Sequence, residues 1–210
     1  GVQVDSLQAD LTQDSDIAAV EQRLREDARI RILVNNAGTS IPGDFLHQSS
    51  YDITRLITLN VTSVARLANA IAPRLAQAGE GAIVNIASVV GLGPEMGLTV
   101  YGATKAFVLF LSQGLDVELS AKGVYVQAVL PAATRTEIWQ HSGKDVDTIP
   151  GVMEVDKLVD AALVGFDRRE SVTIPPLHDE TQWQTLNATR QAMLPGFAQS
   201  EPAARYLLRS

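Results

Sequence analysis

An α/β fold, built on a parallel sheet with helices on both faces, is what this chain predicts. Three observations carry that expectation. Short apolar runs rich in β-branched residues recur along the sequence, longer helical patterns separate them, and no internal repeat or low-complexity tract interrupts the alternation. With 210 residues and 46% hydrophobic content, the chain is long enough to bury the core of one enzyme-sized domain.

Residues 2–10 predict a first strand, and residues 14–27 a helix with a polar face. The apolar run at 30–36 predicts a strand that ends in two amides, Asn35 and Asn36. Residues 49–78 read as one or two helices and contain Pro73. A strand follows at 82–88, closing at the hydroxyl of Ser88. The helix predicted from about 99 to 120 carries Phe107, Val108, Leu109, Phe110 and Leu111 in succession, so it is apolar all round and needs burial on two sides. A strand at 124–131, a helix at 154–169 and a strand at 171–175 complete the alternation, which bounds one domain at 1–176 and a helical tail at 177–210. Between them, the long loop at 132–152 is expected either to be a mobile substrate lid or to be a disordered insertion.

Charge and composition narrow the function classes. A net charge of -7 with no basic cluster argues against a nucleic-acid or anionic-membrane surface. There is no cysteine, so disulfide frameworks and thiolate sites are excluded, and no segment resembles a signal peptide or a membrane span. The expected location is the cytoplasm. His47, His141 and His178 are scattered without partners, so no metal site is expected and all three are read as surface or loop residues. No Gly-x-Ser-x-Gly elbow points to a hydrolase.

The chemistry sits elsewhere. Tyr101 and Lys105 are four residues apart in Tyr-Gly-Ala-Thr-Lys-Ala, so on a helix they share a face. An ammonium beside a phenol favours the phenolate, which brings a group of ordinary pKa about 10 toward acid–base work near neutrality. Ser88 ends a strand upstream, Asn35-Asn36-Ala37-Gly38 ends another, and Asn60 stands in Leu-Ile-Thr-Leu-Asn-Val-Thr-Ser where a helical pattern begins. Taken singly, each has a plainer reading: Ser88 ends a strand, Asn60 caps a helix, and Lys105 is a surface cation.

Together, in this order, these motifs resemble the short-chain dehydrogenase/reductase family over residues 1 to about 176. The resemblance implies a doubly wound, Rossmann-type sheet and a nicotinamide-dependent oxidoreductase that interconverts a carbonyl and an alcohol. It assigns Tyr101 as proton donor, Ser88 as the group that polarises the substrate oxygen, and Lys105 as the residue that lowers the Tyr101 pKa and binds the nicotinamide ribose. Asn60 would hold a water that links Lys105 to solvent. For the cofactor, NADP or else NAD, it implies contacts from Asp10 to the adenine, from Asn36, Ala37 and Gly38 to the adenine ribose, and from Pro131 and Thr136 to the carboxamide or phosphates. Asp10 also reads as a helix cap, and 36–38 as a plain strand-end turn. Family members pair through the two helices at 61–75 and 99–120, which implies a homodimer or homotetramer; the alternative is that the tail covers those faces.

Two departures stand out. Ala132 replaces the glycine of the family's Pro-Gly-x-x-x-Thr, and the family's Thr-Gly-x-x-x-Gly-x-Gly phosphate turn does not occur. The expectation is that the biological chain extends upstream of Gly1 by about two strand–helix units carrying that turn, since a central strand left unpaired would expose its amides. If the turn is truly missing, the runner-up reading is a catalytically silent binding or regulatory protein of the same fold. Val89, Val90, Met96, Leu98, Ile138 and Trp139 suggest an apolar pocket for a hydrophobic ketone, aldehyde or secondary alcohol. In the tail, Trp183, Leu186 and Met193 fall near one helical face, and Ser200 begins a second short helix.

Overall fold

Four parallel strands form the sheet of the computed structural model, which describes residues 2–139 and 145–207. They are β1 (Ile32–Asn35), β2 (Gly81–Ile86), β3 (Val124–Val129) and β4 (Val172–Thr173), in the spatial order β1-β2-β3-β4. Helices α1 (Asp14–Glu26), α2 (Ser50–Ile57), α3 (Ser63–Ala78), α4 (Thr99–Leu119) and α5 (Val155–Asp167) supply the crossovers. The chain divides into two units, Gly1–Pro176 and Leu177–Ser210.

Alternation along β3 shows why the sheet is covered twice. Val124 and Val126 join Ile17 and Leu24 of α1, Leu67, Ile71 and Leu75 of α3, and Leu119 of α4 in one buried cluster. Their neighbours point the other way: the Tyr125 ring meets Phe166 of α5 edge-on at 5.1 Å, and Gln127 donates to the Ala162 carbonyl at 3.1 Å. Every β3 residue is buried, so its one amide must be satisfied internally, and Gln127 also donates to Thr173 Oγ1 at 2.9 Å. This approach of α5 to β4 needs a bare backbone, because a Cβ on Gly165 would stand 2.1 Å from Thr173 Oγ1.

On the opposite layer α1 is fastened to α3. Arg66 forks onto Glu21 at 2.8 and 2.9 Å, and the Arg74 guanidinium donates to the Leu24 and Ile30 carbonyls at 3.2 and 2.7 Å. The bond to Leu24 satisfies a carbonyl of the last turn of α1, which has no helical partner. Gly79, at φ 71°, then stops α3 in the left-handed conformation that glycine adopts without strain.

Several expectations change. Residues 2–10 form no strand; they run as irregular backbone with Val2 89% and Val4 81% exposed, because among the described residues nothing pairs with them. β1 is paired on one side only among those residues, and its Ile32 and Val34 are 51% and 55% exposed. Residues 49–78 are a single run in which a π-type turn, Thr58–Thr62, joins α2 to α3, and Pro73 is accommodated inside α3. The last strand shrinks to Val172–Thr173. The loop expected at 132–152 lies partly outside the described residues, at 140–144; at its ends Arg135 N donates to Met153 O and Met153 N to Ala133 O, each at 2.9 Å. In the tail, α6 (Glu180–Ala192) is capped by Asp179, Leu186 and Met193 are exposed, and the second helix reduces to one turn at Ala204–Tyr206.

Candidate active site

Parallel strands bring their C-terminal ends to one edge, where open α/β sheets hold ligands. Asn36 follows β1 directly, Ser88 stands just beyond β2, and Pro131 just beyond β3. Ser88 is buried and caps the short turn Val89–Gly91, accepting from Val90 N at 3.4 Å. Its hydroxyl donates to the Pro131 carbonyl at 3.1 Å, and its oxygen lies close enough to the Tyr101 phenol to lower that group's pKa. Tyr101 and Lys105 come from the first two turns of α4, so helical spacing alone puts Lys105 Nζ 5.7 Å from the centre of the Tyr101 ring.

Lys105 is buried and donates to the Ile86 carbonyl at 2.8 Å. Burial pushes its pKa down to about 8. Burial also raises the Tyr101 phenol above its ordinary value, while the hydrogen bond from Ser88 pulls it back. Burial is the larger of these two influences on Tyr101, and Ser88 is the group that opposes it.

Asn60 lies in the π-type turn and is fully buried. Its Oδ1 accepts from Thr39 N at 3.1 Å, and its Nδ2 donates to Thr39 O at 2.8 Å and to Thr104 Oγ1 at 3.2 Å. Gly38 closes the group: a Cβ there would stand 3.4 Å from Asn60 Oδ1 and 3.5 Å from Lys105 Nζ. Ser88, Tyr101, Lys105, Asn60, Gly38 and Pro131 thus form one connected constellation.

The remaining predicted positions are more scattered. Asp10 holds Thr12 through its Oδ1, accepting from the backbone N at 2.9 Å and the hydroxyl at 2.8 Å, and these bonds lower its pKa. Asn36 and Ala37 are exposed. Thr136 is exposed and its Oγ1 accepts from Ile138 N at 3.4 Å. Val89, Val90, Leu98, Ile138 and Trp139 are half-buried, whereas Met96 is exposed. His47 pairs with Asp44 at 2.6 Å on the surface, His178 is exposed, and His141 lies outside the described residues. Among the described residues no group of three or more His, Cys, Asp or Glu could hold a metal ion, and no helix is long and apolar enough to cross a membrane.

Sequence reasoning missed the supports. Thr104, buried, accepts from Asn60 and donates to the Tyr101 carbonyl at 2.7 Å, tying the π-type turn to the catalytic helix. Asn85 accepts from Asn35 and donates to Ser112, both at 2.9 Å. An amide in the middle of an apolar strand was the available signal, since a buried amide requires partners.

A dinucleotide fits this donor set. Lys105 Nζ has three N–H donors, of which the Ile86 carbonyl takes one, so two remain in a buried place suited to a pair of hydroxyls.

The fold and this constellation define a Rossmann-type α/β protein with a Ser–Tyr–Lys–Asn centre. Comparison with known proteins makes the assignment specific, because the family model for short chain dehydrogenases matches residues 1–147. The chain belongs to the short-chain dehydrogenase family. A short-chain dehydrogenase from Sphingobium yanoikuyae, solved in complex with NADPH, is 64% identical with a TM-score of 0.96, covering 98% of this chain and 80% of that one. The bulky-bulky ketone specific alcohol dehydrogenase from Comamonas testosteroni is 56% identical with a TM-score of 0.91, covering 99% and 79%. The very-long-chain 3-oxoacyl-CoA reductase of Anas platyrhynchos is 34% identical over 151 residues, 70% of this chain and 48% of that protein. In Danio rerio the corresponding reductase A is 42% identical over 52% of this chain and 35% of its own length, so the chain spans about a third to a half of the curated relatives it matches.

Proposed function

We propose that the protein is an NAD(P)-dependent oxidoreductase that interconverts a bulky, mostly apolar ketone and its secondary alcohol. The observation that carries this reading is the meeting of Ser88 and Tyr101 beside a buried Lys105 with donors to spare. When bound, the nicotinamide supplies hydride to the carbonyl carbon. Ser88 orients the substrate oxygen, and Tyr101 gives that oxygen its proton, with the reverse transfers in oxidation. Lys105 would hold the nicotinamide ribose, Asn36 to Gly38 and Asp10 the adenosine end, and Pro131 and Thr136 the carboxamide or phosphates. NADP is favoured over NAD because the 64% identical relative was solved with NADPH. The ketone class follows from the Comamonas relative and from the apolar side chains around Ser88.

Assembly as a homodimer or homotetramer, in the cytoplasm, belongs to the same reading. It is supported by the outer face of α4, where Phe110 is 75% and Val117 82% exposed. The experiment is turnover of a ketone with two bulky substituents by the full-length protein, followed through nicotinamide absorbance. Ketone-dependent loss of NADPH is expected. Tight NADPH binding without turnover of any carbonyl would instead support a silent scaffold.

A further inference from the structure

We infer that Gly91 and Gly102 form a backbone clasp that fixes how closely Ser88 approaches Tyr101, which makes both glycines positioning residues. This rests on the proton transfer proposed above.

Neither glycine is needed for its conformation. Among the described residues the glycines with positive φ are Gly43, Gly79, Gly81, Gly97, Gly123 and Gly151, so Gly91 and Gly102 have the negative φ open to any residue. What they provide is space. A Cβ on Gly91 would lie 2.7 Å from Ala106 N, 2.8 Å from Lys105 C and 3.1 Å from Ala106 Cα. Those atoms are helix backbone and cannot swing aside as a side chain would. From the other side, a Cβ on Gly102 would lie 3.1 Å from Val90 O. The turn that carries Ser88 therefore rests directly on the first turns of α4 at two places, one beside Tyr101 and one beside Lys105. Glycine inside a helix is less favourable than alanine, so Gly102 is there at the expense of local helix stability.

The turn is also held from behind. Val89 N donates to Pro131 O at 3.0 Å, Ser88 Oγ to the same carbonyl at 3.1 Å, and Gly91 N to Ser88 O at 3.1 Å. A methyl group wedged in at Gly91 cannot be absorbed by the turn alone, and the displacement passes to Ser88. Separation of roughly 1 Å at a reacting group is enough to cost up to about a hundredfold in rate.

The test compares Gly91→Ala with Gly114→Ala in the full-length protein, because a Cβ on Gly114, in the same helix, meets nothing within 4 Å. Two quantities are read: kcat with NADPH and a bulky ketone, and the titration of the Tyr101 phenol by carbon NMR of labelled tyrosine, its signal identified with Tyr101→Phe. For Gly91→Ala, kcat is expected to fall about tenfold or more and the Tyr101 titration to move further up as the Ser88 hydrogen bond is lost. Gly114→Ala should change neither. An unmodified Tyr101 titration and kcat in folded Gly91→Ala would overturn the clasp. Should Gly91→Ala not fold, Gly102→Ala decides, with a smaller shift of the same sign expected and no shift overturning the inference. If the parent protein turns over no ketone, the proposed activity fails, while the tyrosine titration still judges the clasp.

Discussion

Lys105 holds its Nζ 5.7 Å from the centre of the Tyr101 ring. Its direct hydrogen bond goes to the Ile86 carbonyl, and among the described residues no carboxylate pairs with the buried ammonium. Burial lowers its pKa from 10.5 to about 8, and this has a consequence for stability. Below about pH 8 the folded and unfolded chains both hold the proton, and the cost of burying the charge is borne in full. As pH rises from about 8 toward 10, the folded chain releases its proton while the unfolded chain keeps it, so stability increases. The rise approaches about 3 kcal/mol over the whole interval. Urea unfolding at a series of pH values should show it in the parent protein and not in Lys105→Met; equal slopes in the two would refute it. Above about pH 10 the raised Tyr101 and Tyr125 act with opposite sign, because unfolded tyrosines ionise first.

Tyr101→Phe removes one hydroxyl and keeps the ring that packs beside Lys105. Turnover should drop by about a thousandfold, within the range that one acid–base group supplies, while NADPH affinity stays within about twofold. Residual turnover near that of the parent protein would remove Tyr101 from the role of proton donor.

The alternation of apolar runs gave three of the four strands to within two residues at each end, because β2 and β3 are short, mostly buried apolar runs and β1 closes at the polar Asn35. Residues 2–10 defeated the same reasoning. A strand is defined by its neighbour as much as by its own pattern, and the apolar Val2, Val4 and Leu7 carry no information about whether a partner is present. At the site, Tyr101 and Lys105 were legible because their spacing is a property of one helix. Thr104, Asn85 and the glycine contacts at Gly91 and Gly102 join segments distant in sequence, and only the fold brings those segments together. Spacing reveals the charge that neighbours Tyr101 but not the depth of its burial.

Asn60 makes three hydrogen bonds, two to the Thr39 backbone and one to Thr104. Asn60→Ala removes the partner of the half-buried Thr39 amide and carbonyl and of the buried Thr104 hydroxyl, and should destabilise the fold by about 2–4 kcal/mol. Denaturant unfolding measures the loss. A change under about 0.5 kcal/mol would mean that water replaces the amide without cost, contrary to its complete burial.

Asn35, Asn85 and Ser112 form a relay across the sheet, from β1 through β2 into α4. Asn35 donates to Asn85 Oδ1 and Asn85 donates to Ser112 Oγ, both at 2.9 Å, and Ser112 donates to the Val108 carbonyl at 2.7 Å. Ser112 lies seven residues beyond Lys105, on the same side of α4, so the relay anchors to the sheet the helix that carries Tyr101. Removing one member leaves the next without a partner in a dry environment, whereas removing two neighbours together does not repeat that cost. Ser112→Ala alone should destabilise by about 1–3 kcal/mol, and clearly less when Asn85 is already Ala. A double-mutant cycle measured by urea unfolding reads the difference directly. A coupling of at least about 0.5 kcal/mol is expected, and strict additivity would show that the two side chains anchor α4 independently.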